Sequence, residues 1–493
     1  MKPLTVVTQY IPGPLFHKTL LAFAESGLVE DIIVLCQEPV QAEISRCRFL
    51  ITSSLASQET LESLVSNIRT IYLLVMPGLA QISIENKALQ KILERMESTK
   101  AGILYSDFYD ESYEGRTLHP LTDYPLGSVR DDFNFGAIIL YSVSAIREAI
   151  DKYGPIPSVN YAGLYDVRLK VSIDHNVYHL PEPLYLVVGT KDSSGSERLF
   201  NYVDPRNVSV QKEMEAIFTD YLKNIGAYLP ADYLRETKTT PDVFPVEASV
   251  IIPVRNRVNT IVEAIMSALS QEADFPFNVI VVDNYSTDGT ATVVSDLAGR
   301  YSTLNHIIPA RTDLGIGGCW NEALFSQACG HYAVQLDSDD LYSTPQTLQK
   351  IVHMLRQNNH AMVIGSYTIV DFNLNEIPPG LIDHREWTDE NGHNNALRIN
   401  GLGAPRAFDI STMRGIRFLN ASYGEDYAAA LQICREYRIG RIFESLYLCR
   451  RWPGNTDASL SIEETNKNDI FKDKIRTVEI ITRQNMNKHR LTT

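Results

Sequence analysis

Val334-Gln335-Leu336-Asp337-Ser338-Asp339-Asp340-Leu341 begins as an apolar run and ends in three carboxylates within four positions. The run reads as a buried strand of a parallel sheet. Carboxylates crowded at a strand end repel one another, and in open parallel sheets ligands bind at the carboxyl ends of strands. The cluster therefore predicts a positive partner, most simply a divalent cation with oxygen ligands. An acidic turn before a helix at Thr344-Pro345 accounts for the same residues without a ligand. The surrounding chain decides between the two.

Upstream, Ala248-Ser249-Val250-Ile251-Ile252-Pro253-Val254-Arg255-Asn256 predicts a buried strand that turns into a helix over Ile261–Leu269. A second strand, Val279–Val282, runs into Asp283-Asn284-Tyr285-Ser286-Thr287-Asp288-Gly289-Thr290, a polar turn that opens another helix. Its amides and side-chain oxygens suit a nucleotide base or ribose; a plain strand–turn–helix connection is the blander account. Gly315, Gly317 and Gly318 permit a tight backbone close to a ligand, with a helix expected from Asn321 to Cys329. Downstream, Glu425-Asp426 opens a helix over Tyr427–Arg435, a place that suits acids on electrostatic grounds alone. Between Phe372 and Gly403 a long polar loop is expected, holding Asp383, His384, Trp387 and His393. Loops of that length are usually functional or mobile, and Trp387 either stacks on an acceptor sugar or anchors the loop.

The first half alternates strands (Leu4–Val7, Asp31–Cys36, Arg48–Thr52, Ile71–Met76, Gly102–Tyr105) with helices, which predicts a parallel sheet with right-handed crossovers. Asp107, Asp110 and Glu111 read as a solvated loop, Asp131-Asp132 as a turn, and His119, His175 and His179 as ordinary histidines. A helical pattern over 210–229 is followed by a break at Thr237–Asp242, where a linker is expected. The halves repeat at an offset of 260, as in Tyr72 against Tyr332, Ala101 against Ala361 and Asp166 against Asp426. A shared offset over separate segments predicts two copies of one α/β fold. Pro77–Ala80 stands in place of Asp337–Asp340, and Tyr165-Asp166 in place of Glu425-Asp426, so the first copy reads as catalytically silent.

The chain has 493 residues, 45 basic against 60 acidic side chains and a net charge of −15, which argues for two or three domains and against a nucleic-acid partner. Cys36, Cys47, Cys319, Cys329, Cys434 and Cys449 show no metal-ligand spacing and read as reduced thiols. No secretory leader and no transmembrane segment is expected, and the reading is cytoplasmic.

With these motifs together, the second half resembles the inverting family-two glycosyltransferases of the GT-A fold. The matches are Val250–Asn256, Val281–Thr290, Asp337–Asp340 and Gly424-Glu425-Asp426, across Glu247 to Ser461. The resemblance implies two tandem GT-A-like, Rossmann-like α/β domains with mostly parallel sheets: a degenerate copy over 1–200, a helical connector and linker over 201–246, a catalytic domain over 247–461, and a helical tail over 462–493. It implies that Pro253, Arg255, Asn256, Asp283, Asp337 and Ser338 hold the nucleotide sugar. Asp339 with Asp340 would bind Mn²⁺ or Mg²⁺, and Arg450 and Arg451 would close over the diphosphate. Asp426 would be the general base, with Glu425 beside it. The donor implied is a nucleotide-diphosphate sugar, a UDP-sugar first. The acceptor is a glycan or a lipid-linked hydroxyl, and both peripheral contact at the inner membrane face and a homodimer fit the reading. Cys319-Trp320-Asn321 and Trp452 depart from the family pattern, so neither a basic residue nor a histidine ligand is expected there. A nucleotidyltransferase and a non-catalytic nucleotide-sugar-binding scaffold are the competing classes. The first lacks its Gly-rich triphosphate loop in Ile252–Arg257, and the intact acids oppose the second.

Overall fold

The computed structural model describes residues 2–40, 44–52, 54–112, 115–188, 207–237, 243–455 and 460–492. The chain divides into two compact units. Unit 1 is Met1–Ser193, Ser209–Tyr228 and Leu460–Ile480; unit 2 is Ser194–Val208, Leu229–Ser459 and Ile481–Thr493.

In unit 1 the order is β1 (Leu4–Gln9), α1 (Pro14–Glu25), β2 (Val29–Cys36), β3 (Cys47–Ile51), α2 (Gln58–Asn67), β4 (Tyr72–Met76), β5 (Gln81–Ile84) and α3 (Asn86–Thr99). There follow β6 (Ile103–Ser106), β7 (Phe108–Ser112), β8 (Gly115–His119), β9 (Ile139–Ser142), α4 (Val143–Tyr153), α5 (Gly163–Asp174), β10 (Val177–Leu180), β11 (Tyr185–Val188) and α6 (Val208–Asn224). One sheet runs β10-β6-β9-β4-β1-β2-β3 and a smaller one β5-β11-β7-β8.

Unit 2 carries β12 (Ala248–Val254), α7 (Ile261–Leu269), β13 (Phe277–Asp283), α8 (Thr290–Ala298), β14 (Leu304–Ile307), α9 (Ile316–Leu324), β15 (Tyr332–Gln335), β16 (Leu341–Tyr342) and α10 (Thr347–Asn358). It continues with β17 (Met362–Val370), β18 (Glu376–Ile382), α11 (Gly392–Asn395), β19 (Arg406–Asp409), α12 (Ile410–Ile416), α13 (Glu425–Glu436) and β20 (Ile439–Arg450). Helix α14 (Ile462–Thr492) supplies residues to both units. The main sheet runs β14-β13-β12-β15-β19-β17-β20-β16, with β18 on β17. Its first seven strands match the seven of unit 1 position by position. In both, a parallel half meets one antiparallel strand (β9 or β19), beyond which the next two strands are again parallel. The repeat read from the sequence is thus one topology built twice.

The core of unit 2 follows from its strands. Val250, Ile252, Val279, Val281 and Val334 are fully buried, and α7 adds Ile261, Ala264, Ile265 and Ala268 at helical spacing. Continuous apolar runs suit strands with both faces covered. Among the described residues no helix is long and apolar enough to cross a membrane, and all six cysteines are free thiols.

Several expectations are corrected. Asp107, Asp110 and Glu111 are no solvated loop. Asp107 is buried and accepts from the Leu121 N–H and His179 Nε2, while Asp110 and Glu111 lie on β7. The loop expected between Phe372 and Gly403 is largely strand β18 followed by a buried segment with α11. Trp387 is buried there under the Arg441 guanidinium, 4.6 Å from the ring centroid, and cannot reach an acceptor. Helix α9 begins at Ile316 rather than Asn321. The predicted linker from residue 238 to 242 lies outside the described residues.

The tail given no role in the sequence reading completes both cores. In unit 1, Asp473 accepts from Ser128 Oγ (2.7 Å) and Arg476 Nη1 (2.7 Å), and Asp469 accepts from Arg130 Nη2 (2.9 Å). In unit 2, Arg483 donates to Asn394 Oδ1 (3.2 Å) and the His393 carbonyl (3.0 Å).

Candidate functional site

β12, β13 and β15 are adjacent and parallel, so their carboxyl ends share one edge of the sheet. After β12 the chain turns at Asn256, in the left-handed region at φ 55°. Asn256 donates its N–H to Ser286 Oγ (2.9 Å), and its Oδ1 accepts from the Thr287 N–H (2.7 Å). The two strand ends are thereby stitched together. Asp283 closes β13 with Oδ1 accepting from the Ser286 N–H (2.9 Å), whereas its buried Oδ2 has no hydrogen-bond partner. His306 Nε2 lies 3.7 Å from that oxygen, and a buried acceptor without a hydrogen bond is costly. Pro253 is half-buried in β12, and Arg255 is exposed beyond it.

The acid cluster after β15 is sorted by its neighbours. Asp337 donates its N–H to Tyr447 Oη (2.9 Å) and accepts from Gln335 Nε2 on both oxygens (2.9 and 3.1 Å). Burial raises its pKa, against the pull of Gln335 and Arg406. Ser338 is buried, and its carbonyl accepts from Thr260 Oγ1 (2.9 Å). Asp340, expected beside Asp339 as a metal ligand, is buried, and its Oδ1 accepts from the Arg450 N–H (2.8 Å). Burial, then Asp337 and Asp339, push its pKa well above the ordinary carboxylate value. Like Asp337, Asp339 is half-buried. Its Oδ2 lies 3.3 Å from Trp452 Nε1, 3.3 Å from Asn455 Nδ2 and 3.7 Å from Arg257 Nε.

Arg450 is a residue expected to close over the diphosphate. It is buried, pairs with Glu263 and sits 5.4 Å from the Phe372 ring centroid. Arg451 is half-buried and donates its N–H to the Val370 carbonyl (2.8 Å).

Glu425 and Asp426 occupy the first turn of α13, and the glycines of α9 set their position. A Cβ on Gly317 would lie 1.9 Å from the Leu419 carbonyl and 2.9 Å from Glu425 Cβ, and one on Gly318 would lie 2.4 Å from Asn420 Oδ1. These glycines thus let α9 touch the 419–425 segment, a role distinct from the ligand approach expected of them. Asn321 joins in, exchanging hydrogen bonds with the Phe418 backbone (2.9 and 3.0 Å). Glu425 is buried with Oε2 unpartnered, and burial followed by Asp426 raises its pKa to about 8. Its charged neighbours are Asp426, Arg406 and Asp337. Asp426 is half-exposed, and its Oδ2 lies 2.6 Å from Arg406 Nη1.

Arg257, Arg406, Trp452 and Asn455 were missed as site residues. Arg406 left one signal, a lone cation opening the otherwise apolar Arg406-Ala407-Phe408, since a buried charge requires a partner.

In unit 1 the matching positions are closed. Asp166 is buried against Lys170 Nζ (2.8 Å), with its pKa raised to about 6 by burial against the pull of Lys170. Tyr165 donates its hydroxyl to the Val129 carbonyl, and the Pro77 carbonyl accepts from Gln9 Nε2 (3.0 Å).

Among the described residues no group of three or more His, Cys, Asp and Glu side chains is arranged to hold a metal ion. Asp339, half-buried like Asp337, does not by itself make an all-protein cage. It does fit a hard cation that takes one carboxylate and completes its shell with phosphate oxygens.

Residues 249–421 carry a domain of glycosyl transferase family 2, matched by that family's model. EpsE of Bacillus subtilis (strain 168), named as a glycosyltransferase, is 35% identical over 124 residues, 25% of this chain and 44% of that protein. An uncharacterized glycosyltransferase of Rickettsia felis is 32% identical over 152 residues, 30% of this chain and 23% of that protein. The chain thus spans less than half the length of these relatives. Among solved structures, S. aureus TarS 1–349 in complex with UDP-GlcNAc is similar with TM-score 0.39 and 23% identity, over 47% of this chain and 66% of that one. Mannosyltransferase PcManGT from Pyrobaculum calidifontis, in complex with GDP-Man and Mn2+, is similar with TM-score 0.34 and 16% identity, over 58% and 84%.

Proposed function

We propose that unit 2 moves a sugar from a nucleoside-diphosphate sugar to an acceptor hydroxyl in one inverting displacement, with Asp426 as the general base. The observation that carries this reading is a connected row of groups from Asp337 to Asp426. Gln335 Nε2 donates to Asp337, Gln335 Oε1 accepts from the Arg406 N–H (3.2 Å), and Arg406 Nη1 meets Asp426. A donor-side acid and an acceptor-side acid are thereby held in one frame.

The open Asp283 Oδ2 offers an acceptor to an N–H of the nucleobase, as a uracil would present, and the Asn256 turn shapes that pocket. Asp339 would hold Mn²⁺ or Mg²⁺ together with the diphosphate, where such a cation neutralises charge developing on the leaving group. Asp426 takes the acceptor proton as the hydroxyl attacks the anomeric carbon from the face opposite the leaving diphosphate. A single displacement needs one base only. Unit 1, whose matching aspartate is locked by Lys170, takes no part in this chemistry. A glycan or lipid-linked acceptor fits the same reading.

The test is Asp426→Asn, assayed for sugar release from a panel of nucleotide sugars with Mn²⁺. Turnover is expected to fall by about 10²–10⁴-fold, the usual worth of a general base, with nucleoside-diphosphate binding unchanged. Full turnover in the variant would remove Asp426 from the role.

A further inference from the structure

We propose that Arg406 is the positioning residue for transfer, fixing the direction in which Asp426 presents its carboxylate; the inference rests on the role of Asp426 proposed above. Arg406 opens β19 and faces acidic and polar groups from three neighbouring segments. These are Asp426 and Glu425 on α13, Asp337 after β15 and the Tyr447 hydroxyl on β20. Its side chain is 17% exposed and the Asp426 side chain 29%, so the pair is partly withdrawn from water yet open on the carboxylate side.

The arrangement exceeds what helix stability asks for. An acid in a first helical turn is already favoured by the helix dipole. A buried ion pair is often no better for stability than apolar residues of similar volume. What a guanidinium adds is a planar fork that sets the plane of a carboxylate. Arg406 is itself held at its backbone, because its N–H donates to Gln335 Oε1 (3.2 Å), while the other end of that amide binds both oxygens of Asp337. Asp337 and Asp426 therefore share one anchor. Asp426 Oδ1 accepts from the Tyr427 N–H (2.7 Å) and Oδ2 lies against Arg406 Nη1, so the direction of the base relative to the donor-side acid is set by Arg406 and Gln335 together with that amide.

The experiment compares Arg406→Gln and Arg406→Lys with the wild-type chain, using the nucleotide sugar the wild type turns over best with Mn²⁺. Crystal structures of both variants with UDP form the second arm. Arg406→Gln is expected to lose about 10²-fold in kcat, the scale of a misplaced catalytic group, with the donor KM nearly unchanged. Arg406→Lys, which keeps the charge without the fork, is expected to fall between. In the crystals the Asp426 carboxylate turns away from its wild-type direction in Arg406→Gln. A purely structural pair predicts otherwise: kcat unchanged in a folded Arg406→Gln, lysine and glutamine equal in effect, or Asp426 unmoved, and any of these overturns the inference. If Arg406→Gln does not fold, Arg406→Lys decides alone, and wild-type kcat in it overturns the inference. A wild type that releases no sugar from any donor defeats the function proposed above, while the crystallographic arm still decides whether Arg406 directs Asp426.

Discussion

The indole Nε1 of Trp452 stands 3.3 Å from Asp339 Oδ2 in the acid cluster that follows β15. Asn455 Nδ2 reaches the same oxygen, and the Trp452 ring packs 5.4 Å from Phe372. A cation at Asp339 comes within reach of both donors. Titration with Mn²⁺ and UDP is therefore expected to change tryptophan emission, and the change should vanish in Trp452→Phe. Trp320 and Trp387, both buried, would then be silent. An equal change in Trp452→Phe would contradict the arrangement.

Gly317→Ala tests how the helix bearing Asp426 is placed. The new methyl would lie 1.9 Å from the Leu419 carbonyl, and backbone must shift to admit it. Overpacking of this kind costs about 1–3 kcal/mol, and the displaced α13 should lower turnover more than nucleotide binding. Gly299→Ala, with its nearest atom at 3.5 Å, is the control. Equal unfolding midpoints for the two variants would sink the packing argument.

Glu425 makes stability depend on pH. Its folded pKa, raised to about 8 by burial and Asp426, exceeds the ordinary 4.5. Between those values the folded chain holds a proton that the unfolded chain has released, so this group's contribution weakens as pH rises from 4.5 to 8. Glu425→Gln is expected to stabilise the chain more at pH 8 than at pH 5 in urea unfolding. A pH-independent difference would place the titration elsewhere.

Asp473→Ala probes the unit 1 end of α14. Asp473 is buried with Arg476 and Ser128 on it, and breaking such a pair costs about 3–5 kcal/mol. Asp31→Ala removes the partner of the exposed Arg48, a change worth about 0–1 kcal/mol. Calorimetric scans should separate the two clearly, and similar midpoints would mean that the tail packs only loosely.

Much of this was legible in the chain. β12, β13 and β15 announced themselves as apolar runs, and the offset of 260 carried the doubled topology. Where tertiary contact overrode local signal, the reading slipped. Gly317 and Gly318 look like loop residues, yet they are helical because only a residue without Cβ fits against Leu419 and Asn420. Asp107 looks solvated but satisfies the Leu121 N–H and His179 from inside the fold. Three acids within four positions look equivalent in sequence, and only the fold shows that Asp340 accepts from the Arg450 N–H while Asp339 Oδ2 faces Trp452 and Asn455. Arg406 belongs to no local motif, and its meaning comes from Asp426, 20 positions further on.

The central claim is a nucleoside-diphosphate site completed by a cation at Asp339. The most direct test is the melting temperature of the whole chain against a panel of nucleoside diphosphates, with and without Mn²⁺. Saturation at about 100 Kd would add about 2.7 kcal/mol of stability. One nucleotide is expected to raise the melting temperature only when Mn²⁺ is present, in the wild type and in Asp426→Asn but not in Asp339→Ala. No shift with any nucleotide, or a shift indifferent to Asp339, would contradict the account.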